Sequence, residues 1–225
     1  MKNLITALLG LTAAAATAAP VEGWLHMRGP LQTGVSLEKH LPDNILTEDA
    51  LWTADLPGRS TPTVANGRIF VVGHLGEGAN LQEGVFCFDA DTGEKLWEHK
   101  FNDFLSDIIY TRYAASSPTI DPETGNLFYQ GTQGLFASFT PDGKLRFSKF
   151  LPEMGTNRFT VHEDRILVYT AAGARYYALT LDGKPIHQAR LNMDPGTTRY
   201  RDNYGLSWAS FAWSPARKLL IHRQQ

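Results

Sequence analysis

The sequence predicts an all-β chain: a partial β-propeller of four-stranded antiparallel blades. Three observations predict it. Turn glycines recur at Gly93, Gly143 and Gly183, 50 and 40 residues apart, close to the period of a four-stranded blade. Four residues after each comes a ring, at Trp97, Phe147 and His187. The segments between the turns are rich in Val, Ile, Phe and Tyr, and outside the N-terminus none keeps a 3.6-residue apolar period.

The N-terminal 19 residues predict a cleaved signal peptide. Lys2 supplies the positive charge, "LITALLGLTAAAATA" the apolar run, and Ala16–Ala18 the small-residue cleavage site. The run is shorter than the roughly 20 residues that span a bilayer, so the mature chain is expected to begin at Ala19 or Pro20. No cysteine lies there for lipid attachment. Residues 20–49 form a leader segment, and the repeats occupy residues 50–225. The expected location is exported, periplasmic or extracellular, with no transmembrane segment left after cleavage.

Three units then share one order of features. They are "STPTVANGRIFVVG" with "GVFCFDADTGEKLWEHKF", "SSPTIDPETGNLFYQG" with "GLFASFTPDGKLRFSKF", and "NRFTVHEDRILVYT" with "ARYYALTLDGKPIHQARL". Each reads as a short strand, a tight polar turn, two apolar strands, a second turn and a last strand. Ala65–Arg68, Pro122–Asn126 and His162–Arg165 are hairpin turns, because Asn-Gly and Thr-Gly supply the positive φ a reversal needs. The rings at Trp97 and Phe147 are placed to pack into the neighbouring blade, each burying about 150–250 Å². His187 predicts a weaker third seam.

The stretch "DADTGEKLW" opens like a calcium loop with Asp89 and Asp91. It then puts Gly93 at the fifth ligand position, lacks the sixth-position glycine and has no closing glutamate. The sister turns "TPDGKLRF" and "TLDGKPIH" keep the glycine and lose the acids, so the stretch is read as a turn. Cys87, the single cysteine, lies between Phe86 and Phe88 and is read as a small core residue, with a reactive thiol as the alternative.

Composition narrows the function classes. Of 225 residues, 43% are hydrophobic and 20% charged, which suits a packed core. With 21 basic and 23 acidic side chains the net charge is −2, so no nucleic-acid surface is expected. The seven histidines make no zinc spacing, and "GLSWAS" around Ser207 is not a nucleophile elbow. Gly76 and Gly78 fall in an inter-strand loop, Leu75–Glu83, rather than before a helix, so no phosphate loop is expected. His26 and Arg28 belong to a leader expected to pack under the propeller.

The spacing from Cys87 to Trp97, from Ala137 to Phe147 and, more loosely, from Ala178 to His187 resembles the pyrroloquinoline-quinone-like β-propeller repeat. Ser60–Val64 and Ser116–Ile120 resemble that family's innermost strands, and Trp24–Ser36 is similar to the leader of its exported members. The resemblance runs from Trp24 to the C-terminus. It implies a ring of seven or eight blades, of which three complete blades and a partial one are seen here. Members that are quinone-dependent dehydrogenases carry a catalytic aspartate, calcium held by Glu, Asn and Asp, and an adjacent cysteine pair. A single cysteine cannot form that pair, and no acid here matches the calcium set. Other members are scaffolds, among them an outer-membrane assembly lipoprotein.

The ring is not expected to close on itself. Ala50–Leu56 resembles the last strand Lys95–Phe101 but precedes the first complete repeat, while Phe211–Trp213 and Leu219–Ile221 read as the first hairpin of a fourth blade. The expectation is the front part of a longer chain, the alternatives being a strained small ring or closure by a second chain. Loops leading into the innermost strands ring the channel mouth, and they place Arg59, Arg112, Tyr113, Asn157, Arg158 and Trp208 there. Arginines with aromatics could hold an anionic or planar ligand, or cap turns and stack between blades. No catalytic or metal-binding residue is assigned. The expected function is a non-catalytic binding or scaffold module with a protein or polymer partner in the cell envelope. The alternative is part of a dehydrogenase dependent on pyrroloquinoline quinone and calcium, and a weaker third is a hydrolase or lyase whose polar residues form no motif.

Overall fold

The computed structural model describes residues 20–36, 38–102, 114–132, 134–151, 157–170, 175–190, 210–214 and 219–223. The signal-peptide expectation lies outside them. Among the described residues, fifteen strands fall into four antiparallel sheets. The first is β1 (Gly23–Trp24), β2 (Thr63–Ala65), β3 (Arg68–Leu75), β4 (Gln82–Asp89) and β5 (Lys95–Asn102), in that order. The second is β6 (Thr119–Ile120), β7 (Leu127–Gln130), β8 (Leu135–Phe139) and β9 (Leu145–Phe150). The third is β10 (Asn157–His162), β11 (Arg165–Thr170), β12 (Arg175–Thr180) and β13 (Pro185–Arg190), and a hairpin follows, β14 (Ser210–Ser214) with β15 (Leu219–Arg223). The three repeats and the opened fourth are therefore where the sequence puts them.

Local chemistry explains the reversals. Asn66 and Gly67 both take positive φ, 51° and 70°, and close β2 onto β3 in register Ala65↔Arg68. In the turn after β4, Asp89 Oδ1 accepts from the Asp91 and Thr92 amides and from the Thr92 hydroxyl at 2.9–3.0 Å. That carboxylate is occupied within its own turn, and these bonds hold its pKa below the usual value. The acidic stretch is thus a reversal, as the sister repeats implied.

The blades pack face to face through two apolar layers. Between the first and second lie Phe70, Val72, Val85 and Cys87 on one side and Ile120, Leu127, Tyr129 and Phe139 on the other. Between the second and third lie Phe128, Phe136, Ile166, Val168 and Leu179. Alternation on β7 sends Leu127 and Tyr129 to one seam and Phe128 to the other, which is why that strand reads as a continuous apolar run. Cys87 is fully buried, and desolvation pushes its thiol up to about 11. It is a core residue.

Three expectations change. Leu75, Gln82 and Glu83 belong to β3 and β4, and the connection narrows to a 3-10 turn at Gly78–Asn80. Ala50–Leu56 forms no strand and pairs with none among the described residues. The leader's contact with the blades is a strand pairing. Its two-residue strand β1 pairs with β2 as Gly23↔Ala65 and Trp24↔Val64, adding a fifth strand at the inner edge of the first sheet.

Candidate functional site: seams and channel ends of the first blades

The seams repeat one contact three times. The Trp52 ring lies over Gly93, the Trp97 ring over Gly143 and the Phe147 ring over Gly183; a Cβ built on each glycine would come within 2.5–3.0 Å of the ring. Each ring thus docks on the turn of the following blade, and only a residue without a side chain leaves room. A donor accompanies each ring. Trp52 Nε1–H donates to Ala90 O at 2.9 Å, and Trp97 Nε1–H to Pro141 O at 3.1 Å. Phe147 has no donor, and the neighbouring Arg146 supplies one, its Nη1 donating to Leu181 O and to Ser138 Oγ, both at 3.0 Å.

A β-bulge precedes two of these rings, Trp97 and Phe147, and also His187. The register slips between Cys87 and Phe88, between Ser138 and Phe139, and between Ala178 and Leu179. The extra residue on the outer strand is Leu96, Arg146 or Ile186. Bulges re-aim side chains, and here the bulge turns the following ring onto the next blade. His187 is exposed and covers no turn glycine among the described residues.

Replacing Arg146 with Met keeps the aliphatic stem and removes the donor. A charge-assisted bond at a half-exposed site contributes on the order of 1–2 kcal/mol, so thermal unfolding followed by circular dichroism should shift down by several degrees. Adding Phe147→Trp should recover part of the loss, because an indole N–H there can reach the Leu181 carbonyl. No recovery would mean that Arg146 acts elsewhere.

At the channel end, polar groups tie the first two blades to each other and hold the inner loop within each. Ser117 Oγ accepts from the Thr61 amide at 2.9 Å, and Ser60 Oγ accepts from the Val72 amide at 3.2 Å. The Ser116 hydroxyl donates to Gln130 O. Arg59 N–H donates to Ala114 O at 2.9 Å. Glu83, a buried carboxylate, accepts from the Thr132 amide of the second blade at 3.0 Å.

Of the residues expected to ring the mouth, Arg59 is exposed four residues before β2, with its main chain bound to the second blade. Asn157 and Arg158 are the first two residues of β10, paired with Thr170 and Tyr169, rather than part of a loop before it. Arg112, Tyr113 and Trp208 lie outside the described residues. Sequence reading missed Glu83, which it placed in a loop, and Arg146, whose role depends on the bulge. The Trp52 docking contact had one signal: its position in a stretch resembling the last strand of the first repeat.

The leader reaches the same junction from the opposite end. Leu25 is buried and its carbonyl accepts from the Ile120 amide at 2.9 Å, while the Val21 amide donates to Pro122 O at 2.7 Å. His26 follows, its pKa held below 6.5 by burial, with the Asp121 carboxylate pulling the other way. The unfolded chain takes up this proton near pH 6.5 and the folded chain only at lower pH. Stability should therefore fall as the solution is acidified below about 6.5. Urea unfolding of His26→Gln between pH 7.5 and 5.0 should show a shallower decline than the parent, and an unchanged slope would assign the acid sensitivity to other groups.

These features define an antiparallel β-propeller whose blades are locked by rings docked on glycine turns. A family model described as outer membrane protein assembly factor BamB matches residues 45–103 and 81–207. The chain belongs to this pyrroloquinoline-quinone-like β-propeller repeat family. No match was found among curated protein sequences. A europium-containing methanol dehydrogenase structure aligns with 75% of this chain and 35% of its own, at 14% identity and a TM-score of 0.51. BamB from Moraxella catarrhalis aligns with 74% of this chain and 43% of its own, at 15% identity and a TM-score of 0.45. A quinohemoprotein alcohol dehydrogenase from Comamonas testosteroni aligns with 75% and 37%, at 15% identity and 0.48. At 14% identity the likeness to the methanol dehydrogenase is one of fold. The chain spans less than half the length of each of these structures.

Proposed function

We propose that this chain is an exported, non-catalytic propeller module that presents a binding surface to a protein or polymer partner in the cell envelope. One observation carries the reading. The polar side chains at the channel end of the first two blades are engaged with main chain: Ser60, Ser116, Ser117 and Glu83 each bond to a backbone amide or carbonyl. Ser117 and Glu83 bridge the two blades, while Ser60 and Ser116 fix the inner loop of their own blade, which is the chemistry of a scaffold. Among the described residues no helix is long and apolar enough to cross a membrane.

This chain does not supply the cysteine pair of the quinone site that some family members carry. The ring over that cofactor takes two adjacent cysteines, whereas Cys87 is the one cysteine of the sequence and lies inside a blade seam. Two measurements test the reading. Chemical crosslinking in envelope preparations should yield a stoichiometric adduct that Arg59→Glu weakens. Reconstitution with pyrroloquinoline quinone and calcium should give no dye reduction with alcohols or aldoses. Dye reduction in that assay would overturn the proposal.

A further inference from the structure

The geometry points to a strand-acceptor groove at the inner edge of the seam between the first two blades, with leader residues 21–25 as a removable strand seated in it. An innermost blade strand leaves one edge of unpaired N–H and C=O groups. Here two such edges face each other, on β2 and β6, and the leader satisfies both. Gly23 and Trp24 pair with Ala65 and Val64 on one side. On the other, the Val21 amide donates to Pro122 O and Leu25 O accepts from the Ile120 amide.

Side-chain chemistry sets which strand fits. Gly23 sits at φ 146°, and a Cβ there would lie 2.1 Å from Val64 O, so any larger residue is excluded at that position. Leu25 is the anchor, 4% exposed within the layer between the blades. A cleft of about 240 Å³ lined by Val21, Ala65, Arg68, Phe70, Gly125 and Pro141 adjoins the strand at its Val21 end. The groove is therefore longer than the segment that fills it.

The leader is tied to the body mainly through these residues. From Pro30 to Leu51 every described side chain is exposed, so little holds the leader once the strand lets go. This is β-strand addition with the chain's own leader as occupant, its main chain supplying affinity and Gly23 and Leu25 supplying selectivity.

The test uses the full chain carrying Gly23→Val, which expels the leader by steric clash, and a fluorescein-labelled peptide of sequence Pro20–Met27. The G23V chain should bind the wild-type peptide saturably and at least ten-fold more tightly than the wild-type chain does, whose groove is filled. A peptide bearing the same G23V change should not bind. A folded G23V chain that binds neither peptide overturns the proposal, and so does equal binding of both peptides. Should G23V fail to fold, hydrogen exchange on the wild-type chain decides the matter. The Ile120 amide should exchange through a local opening faster than the Val72 amide in the first blade. Exchange of Ile120 only at the rate of Val72, through global unfolding, would mean that the leader is not separable.

Discussion

Trp97→Ala should unfold roughly 6–12 °C below the parent protein in a thermal scan. The indole stands at the centre of the first seam. Its centroid lies 5.8 Å from Phe70, 5.8 Å from His99 and 6.0 Å from Phe139, and it covers Gly143. Phe70 and His99 belong to the first blade and Phe139 to the second, so one side chain bridges both. Truncating a buried Trp costs about 3–5 kcal/mol; the ring is only half-buried, which favours the lower end. About 3 kcal/mol converts to that shift at roughly 2–4 °C per kcal/mol for a chain of this size. The loss includes the bond from Nε1 to Pro141 O, so Trp97→Phe should keep most of the packing and lose about 1 kcal/mol. Leu145→Ala, at a position 50% exposed, is the control and should stay within about 0.5 kcal/mol. Equal effects of Trp97→Ala and Leu145→Ala would show that the seam is not held by the ring.

Gly143→Ala should destabilise by a comparable amount, although it adds a single methyl group. Gly143 has φ 88°, and an L-residue in the left-handed region costs roughly 1–2 kcal/mol. The new Cβ would also lie 2.7–3.0 Å from Cγ, Cδ2 and Cδ1 of the Trp97 ring, so the ring must leave its seat. His99 would be disturbed with it, since its Nε2 lies 2.6 Å from Gly143 O, which accepts its proton. The sum is about 3 kcal/mol. The two effects share a cause and should not add. In a Trp97→Ala background the clash is gone, and Gly143→Ala should cost only the backbone strain. A double-mutant cycle by urea unfolding measures this coupling, and full additivity would show that ring and glycine act independently.

Both predictions rest on pairings of which the sequence showed only one member at a time. The turns were legible because their chemistry is local: Asn66-Gly67 and Thr92-Gly93 need positive φ within a few residues of the strands they join. The strand order followed, since four short segments joined by tight turns can scarcely form anything but a meander. The rings at Trp97 and Phe147 were legible as seam residues from their spacing after a glycine. Their landing site was not, because the glycine a ring covers belongs to the next repeat, 46 residues on for Trp97 and 36 for Phe147.

The bulge escaped the sequence for a related reason. It is one unpaired residue, at Leu96, Arg146 and Ile186, and these three share no side-chain character; their common feature is register, which exists only once strands pair. Glu83 and Arg146 were missed with it. Of the mouth residues, Arg59 is exposed, Asn157 and Arg158 open a strand, and the other three lie outside the described residues, so the mouth stands as a proposal drawn from repeat geometry. The leader shows the same division. Its Trp24-to-Ser36 pattern marked a family, but a two-residue strand carries no periodicity, and its seat was invisible.

The sequence by itself determined the elements and the order of the blades, because turn glycines and apolar strands act over a few residues through steric and burial preferences. Only the tertiary structure decided which ring locks which turn, which side chain supplies the missing donor and where the leader inserts. Those outcomes depend on distances between residues far apart along the chain, and packing sets them after the local pieces have formed.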